Sequence, residues 1–210
     1  MKSAAIGVSV HSGWGAVVAI AGSQGVEEIL LRCRVVIIDS KIAGSPQPYH
    51  YLVKKEIHAA ETHLARCATE SGRLALEALT RISAELRERG FMPKSAAVLL
   101  SSARPLPDLE KILASHALIH TAEGEFFRQA FRSAFEKLKI PVTGIRARDL
   151  DESAAKAFGK SASKIQKRID GMGRSLGAPW TKDEKTAALA AAIVLAGVQS
   201  KGHAAHSSGA

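Results

Sequence analysis

The sequence has few cysteines, few aromatic residues and no long apolar run, and each shortage excludes a class of protein. Its two cysteines, Cys33 and Cys67, are too few for a disulfide framework and form no zinc-finger spacing. Aromatic residues make up only 5% of the chain, which does not favour stacking on single-stranded bases. We therefore expect free thiols in a reducing compartment.

No apolar stretch reaches the roughly 20 residues that a membrane span requires. The N-terminal apolar stretch could imitate a signal peptide, but residues 11–15 interrupt it with His, Ser, Gly, Trp and Gly. We expect a cytoplasmic protein that has no membrane partner.

Positive charge is in clear excess, with 29 Lys and Arg against 20 Asp and Glu and a formal net charge of +9. A basic domain attracts polyanions, and DNA or RNA is the commonest such partner. A solubilising surface charge fits the same numbers. The chain is 46% hydrophobic and 23% charged, as in folded globular proteins. We predict a single domain over residues 1–199 and a disordered tail over residues 200–210.

Apolar patterning predicts three strands over 4–10, 14–21 and 27–39, joined by turns into an antiparallel meander. Three- and four-residue spacing predicts a long helix over 49–89, with a kink or break at Gly72. Strands follow at 96–100 and 140–145, and helices at 108–115, 123–138, 151–158, 161–172 and 181–198. This order predicts an α/β protein with a mixed five-stranded sheet and helices on its faces.

The same order of elements resembles the ribonuclease H-like superfamily, and local segments resemble RuvC-type Holliday-junction resolvases. These segments are residues 6–9, 13–18, 131–142, 159–164 and 182–190. The resemblance implies a ribonuclease H-like fold, in which a three-strand meander and two crossover strands are flanked by helices. It also implies a homodimer.

Nucleases of this fold are expected to use two divalent cations, Mg²⁺ or Mn²⁺, held by carboxylates. The resemblance places these carboxylates at Ser9, at Ser101 or Ser102, and at Asp183 or Glu184. A second acid of the last helix would fall at Thr186 or Ala187. A serine hydroxyl cannot replace the charge of a bridging carboxylate, so the resemblance implies a degenerate nuclease site.

The candidate catalytic residues are Asp183, Glu184, Glu123 and His11. Asp183 and Glu184 fit equally well as charges that complement a helix dipole.

Glu123 belongs to a second group, with His116, His120, Glu125 and Arg128. This group is either an acid/base or metal site that His11 could join, or a helix cap formed by Thr121 beside a partly buried histidine. His50, His58 and His63 are interpreted as surface residues.

A basic stretch after the fifth strand supplies candidate phosphate contacts. The candidate nucleic-acid-binding residues are Arg146, Arg148, Lys160, Lys164, Lys167 and Arg168. An ordinary solvated helix face is the alternative. Three hypotheses for the whole chain stay open: a non-catalytic nucleic-acid-binding protein, a divergent metal-dependent nuclease, and a structural or interaction domain.

Overall fold

A five-stranded sheet with the order β3-β2-β1-β4-β5 forms the centre of the molecule. The computed structural model describes residues 1–22, 26–101 and 105–207, with side chains up to Gln199. The strands are β1 Lys2–His11, β2 Trp14–Ala21, β3 Glu28–Val36, β4 Phe91–Leu100 and β5 Val142–Arg146. The first three form the predicted antiparallel meander, and β4 and β5 add in parallel. The predicted fold class is confirmed.

Helices cover both faces of the sheet. The helices are α1 Pro48–Leu52, α2 Ile57–Glu88, α3 Leu109–Leu113, α4 His116–Lys137, α5 Leu150–Phe158, α6 Ala162–Gly171, α7 Gly173–Leu176 and α8 Lys182–Ser207. The core of one face joins the sheet to α2 and α4, and that of the other joins it to α5, α6 and α8. Among the described helices, none combines the length and the apolarity that a bilayer crossing requires.

The central strand β1 is buried on both faces, which explains its continuous apolar run. Ile6 and Val8 belong to the core shared with α2 and α4, and Ala5 belongs to the core shared with α8. One face of α4 also packs inward, because Phe127 and Phe131 are 0% exposed.

The contact between α8 and β1 depends on small residues. A Cβ atom placed on Gly7 would lie 1.9 Å from the carbonyl oxygen of Ala187 and 3.1 Å from the backbone nitrogen of Ala191. No side chain fits at Gly7, so the helix backbone lies directly on the strand. This close approach fixes the register between the start of α8 and the end of β1.

Two helix boundaries differ from the sequence prediction. The predicted break at Gly72 is wrong, because α2 passes through Gly72 without interruption. Burial of one apolar face of α2 outweighs the roughly 1 kcal/mol cost of one helical glycine. The chain instead breaks between α1 and α2, where Lys54 has a φ of 73°.

The beginning of α4 and the end of α8 also lie outside their predicted bounds. α4 begins at His116, after an extended Ser115, so Thr121 lies inside the helix and donates to the Ala117 carbonyl. The prediction that Thr121 caps this helix is wrong. α8 continues to Ser207, beyond the predicted end at residue 198.

Both cysteines are free thiols, with Cys67 buried and Cys33 half-buried. Burial, followed by the negative charge of Glu85, raises the pKa of Cys33 to about 11 from an ordinary value of 9.0. Burial also raises the pKa of Cys67, although Arg66 opposes this.

We expect Cys33 to alkylate slowly in the folded protein. At a pH below 9 the shift lowers its thiolate fraction about 100-fold, and only the thiolate reacts. The measurement is the iodoacetamide reaction rate of a Cys67→Ser variant, folded and in denaturant. Equal rates in the two conditions would contradict the prediction.

Candidate functional site

The carboxyl ends of the parallel strands gather polar side chains at one edge of the sheet. β1 ends at His11, β4 ends at Leu100 and is followed by Ser101, and β5 ends at Arg146. Open α/β sheets commonly bind ligands at this edge. The close packing of α8 on β1 brings the first turn of α8 to the same place. Ser102, the other predicted fourth-strand position, lies outside the described residues.

Asp183, in the first turn of α8, is the centre of this edge. The Ser9 hydroxyl donates to Asp183 Oδ1 at 3.1 Å, and His11 Nε2 lies 2.9 Å from the same oxygen. Ser9 is 8% exposed, whereas the Asp183 side chain is 34% exposed. The site therefore combines one carboxylate, one hydroxyl and one imidazole, and it is open to solvent on the Asp183 side.

An aromatic stack holds the His11 ring in place. The Trp14 ring lies parallel to it, with centroids 4.4 Å apart and an interplanar angle of 11°. Arg34, on the neighbouring strand β3, places its guanidinium 3.9 Å from the centroid of the Trp14 ring. These contacts limit the rotation of the His11 side chain, so its ring is preorganised to pair with Asp183.

Glu184 has a different partner from Asp183. Its Oε2 accepts from the Thr181 backbone N–H at 2.6 Å, while the Glu184 N–H points to Thr181 Oγ1 at 3.5 Å. This reciprocal pair is a capping box. The contacts of Glu184 favour the interpretation of a helix-terminal charge.

Glu123 lies in another group of residues, beside α1. It is 3% exposed, and its Oε1 accepts from the Tyr49 backbone N–H at 3.0 Å. Its Oε2 pairs with His50 Nδ1. Burial, and then the negative charge of Glu123, raise the pKa of Tyr49. The structure thus brings together His11 and Asp183 but places Glu123 in a separate cluster.

The interpretation of His50 as a surface residue is wrong. Its side chain is 25% exposed, and its ring lies beside those of His116 and His120. The sequence carried no local signal for this meeting, because 73 residues separate His50 from Glu123.

The other members of the predicted histidine and glutamate group contact different partners. Glu125 pairs with Arg132 at 3.5 Å. Arg128 donates from Nε to the Leu99 carbonyl at 3.0 Å, which anchors α4 to the end of β4. Burial lowers the pKa of Arg128, and the charge of Glu125 opposes this effect.

The six predicted basic residues fall into two classes. Arg146 and Arg148 both pair with Asp149, and Arg168 lies near Glu27. Lys160, Lys164 and Lys167 are exposed and carry no ion pair with any residue that the structure describes. Lys164 and Lys167 are three residues apart on α6 and therefore project from one side of it, while Ile165 and Ile169 are buried. Lys160 lies two residues before the start of α6.

Comparison with solved structures supports the fold expected from the strand order. A Thermus thermophilus RuvC in complex with a Holliday junction substrate matches with a TM-score of 0.53. A second Thermus thermophilus RuvC structure matches with a TM-score of 0.51. The chain has the ribonuclease H-like fold of RuvC. Each match covers 94% of this chain and 96% of the other at 12% sequence identity. No protein-family model and no curated protein matches the sequence.

The donor set at this edge of the ribonuclease H-like fold does not fit two magnesium ions. Mg²⁺ prefers oxygen ligands, and a two-metal site needs carboxylates that bridge and flank the ions. Of the three side chains that meet here, only Asp183 is a carboxylate, and its Oδ1 faces two protein partners. Over the described ranges, no three carboxylates come within ligand distance of one another.

Proposed function

We propose that this RuvC-like, ribonuclease H-fold protein binds nucleic acid without cleaving it. The observation that carries the proposal is the environment of Asp183, which meets a hydroxyl and an imidazole where a nuclease of this fold would need further carboxylates. A neighbour of this fold was solved with a Holliday junction, so branched DNA is the first substrate to test. Homodimerisation and a cytoplasmic location stay predictions from the sequence.

The exposed lysines supply the chemistry for such binding. Lys160, Lys164 and Lys167 have no described ion pair, so their charge is available to phosphate oxygens. Arg146, Arg148 and Arg168 face carboxylates. Nucleic acid would have to compete with Asp149 and Glu27 for those arginines, so we assign the main electrostatic contribution to the lysines.

The test is fluorescence-anisotropy binding to a four-way junction, duplex DNA, single-stranded DNA and RNA across a salt series. Replacing Lys160, Lys164 and Lys167 together by alanine should weaken binding and flatten its salt dependence. On duplex DNA, each lost phosphate contact reduces the magnitude of the negative slope of log K against log salt by about 0.9, so we expect a reduction of about 2.7 for three lost contacts. A matched control replaces the exposed Lys2, Lys94 and Lys137, which removes the same charge elsewhere.

Adding Mg²⁺ or Mn²⁺ and running the products on a gel tests the second half of the proposal. We expect intact nucleic acid. Cleavage that disappears in Asp183→Asn would contradict the proposal and establish a divergent nuclease. Absence of binding near physiological salt would leave the fold unchanged and favour a structural or interaction domain.

A further inference from the structure

Three histidine rings meet where α1 packs against α4. Their potential ligand nitrogens all lie within 4.8 Å of one another. The ring centroids are 4.4 Å apart for His116 and His120, and 4.7 Å apart for His50 and His120. Within residues 1–22, 26–101 and 105–199, no other group of three His, Cys, Asp or Glu side chains comes this close.

Glu123 contacts His50 in the way that a carboxylate commonly contacts a metal-binding histidine. The carboxylate side chain is 4% exposed, and burying a charge is costly unless it is paired. Both of its oxygens are used, one by the Tyr49 N–H and one by His50 Nδ1. A proton held on Nδ1 leaves the lone pair of Nε2 for a metal. Metal-binding histidines in proteins usually have such a carboxylate partner, which fixes the tautomer and the ring orientation.

Local packing sets the positions of the three rings. His116 and His120 are four residues apart on α4, so both project from one side of the helix. Between them, Ile119 is buried with Ile112 and Ala122 in a small core to which Tyr49 contributes. Because Tyr49 precedes His50 in α1, this core holds His50 against α4.

We propose that His50, His116 and His120 bind one Zn²⁺ ion, with Glu123 as the positioning residue of His50. Imidazole suits borderline cations such as Zn²⁺, whereas a set of three imidazoles is poor for Mg²⁺. Zn–N bonds of about 2.0–2.1 Å in a tetrahedral site place ligand nitrogens about 3.4 Å apart. The rings must therefore close in slightly, which the exposed His116 and His120 can do by rotation. Three protein ligands leave the fourth position to water or another small ligand.

The proposal is independent of nucleic-acid binding, and its test is direct titration of the metal. The full chain, stripped with a chelator, is titrated with Zn²⁺ by calorimetry near neutral pH. We expect one tight equivalent per chain. Co²⁺ in place of Zn²⁺ should give the intense visible absorption of a four-coordinate nitrogen-rich site, and Zn²⁺ should displace it.

Two sets of variants locate the site. His116→Ala and His120→Ala remove exposed ligands, so folding should persist while the tight equivalent is lost. Glu123→Gln should weaken Zn²⁺ binding about 10- to 100-fold and shift the Co²⁺ spectrum. If Glu123→Gln does not fold, the two histidine variants still decide the proposal.

Controls remove histidines outside the cluster. His58→Ala removes an exposed histidine of α2. His63→Ala removes a histidine whose Nε2 lies 3.4 Å from the Sγ of Cys67. A third control replaces His203 and His206. The controls should bind one Zn²⁺ as the unaltered chain does. The proposal is overturned if no tight equivalent is found, or if His116→Ala and His120→Ala keep it.

Discussion

Replacing Gly7 by valine is expected to prevent the protein from folding. The new Cβ would lie 1.9 Å from the Ala187 carbonyl oxygen, and a backbone atom in the middle of a helix cannot rotate away as a side chain can. Helix α8 would have to lift off β1, which would break the packing of the core on that face. The cost should exceed about 4 kcal/mol, a large part of the stability of a domain. Far-UV circular dichroism and thermal melting measure the effect.

Gly72→Ala is the matched control for this prediction. Nothing lies within 4 Å of a Cβ placed on Gly72, which sits inside helix α2. Alanine there should raise the free energy of unfolding by about 0.5–1 kcal/mol, because glycine is the poorer helix former. A Gly7→Val protein that melts like the unaltered chain would show that α8 does not lie on β1 as described.

The strands could be predicted from the sequence because their signals are local. The sequence predicts β2 at its observed bounds, because the apolar run that begins at Trp14 ends at Ala21, just before Gly22. The predicted third strand continued too far, to residue 39, because Ile37 and Ile38 are as apolar as a strand but lie beyond the end of β3. An apolar pattern indicates which residues are buried, and the buried residues continue past Val36, the last residue of β3 that pairs with β2.

The candidate site shows where such local signals stop. Ser9 and Asp183 are 174 positions apart, and only the resemblance to RuvC-type resolvases predicted that they would meet. From the sequence, His116, His120 and Glu123 form a group because they lie within eight positions of one another, although the helix is predicted to start at residue 123. The sequence does not reveal the role of His50, because that role depends on how α1 packs against α4 and no spacing within the sequence encodes that contact.

Replacing Ser9 by aspartate should destabilise the protein and create a response to Mg²⁺. The Ser9 hydroxyl is 8% exposed and lies 3.1 Å from Asp183 Oδ1, so a second carboxylate at this position would repel the first. We expect a loss of about 1–3 kcal/mol, or roughly 2–12 °C in Tm. Ser9→Asn, which is neutral and nearly the same shape, should lose less.

The repulsion between the two carboxylates makes the difference in stability between Ser9→Asp and Ser9→Asn depend on pH. Like charges raise the pKa of the paired carboxyls above their unfolded values. Stability is then fully present below the unfolded pKa and is lost as the pH rises through the folded pKa. The gap in Tm between Ser9→Asp and Ser9→Asn should therefore close in acid and open toward neutral pH.

Millimolar Mg²⁺ should raise the Tm of Ser9→Asp, because a cation held between two carboxylates relieves their repulsion. It should not raise the Tm of Ser9→Asn or of the unaltered chain, whose edge offers one carboxylate. Equal stabilisation of all three proteins would mean that the native residues already hold the metal, against the proposed non-catalytic function. No effect on Ser9→Asp would mean that this edge lacks the geometry of a metal site even with a second carboxylate added. The three melting curves thus distinguish three cases. Mg²⁺ should stabilise only Ser9→Asp if this edge is a nuclease site that has lost its carboxylates. It should stabilise all three proteins if the native edge already holds Mg²⁺, and none of them if the edge cannot hold the ion.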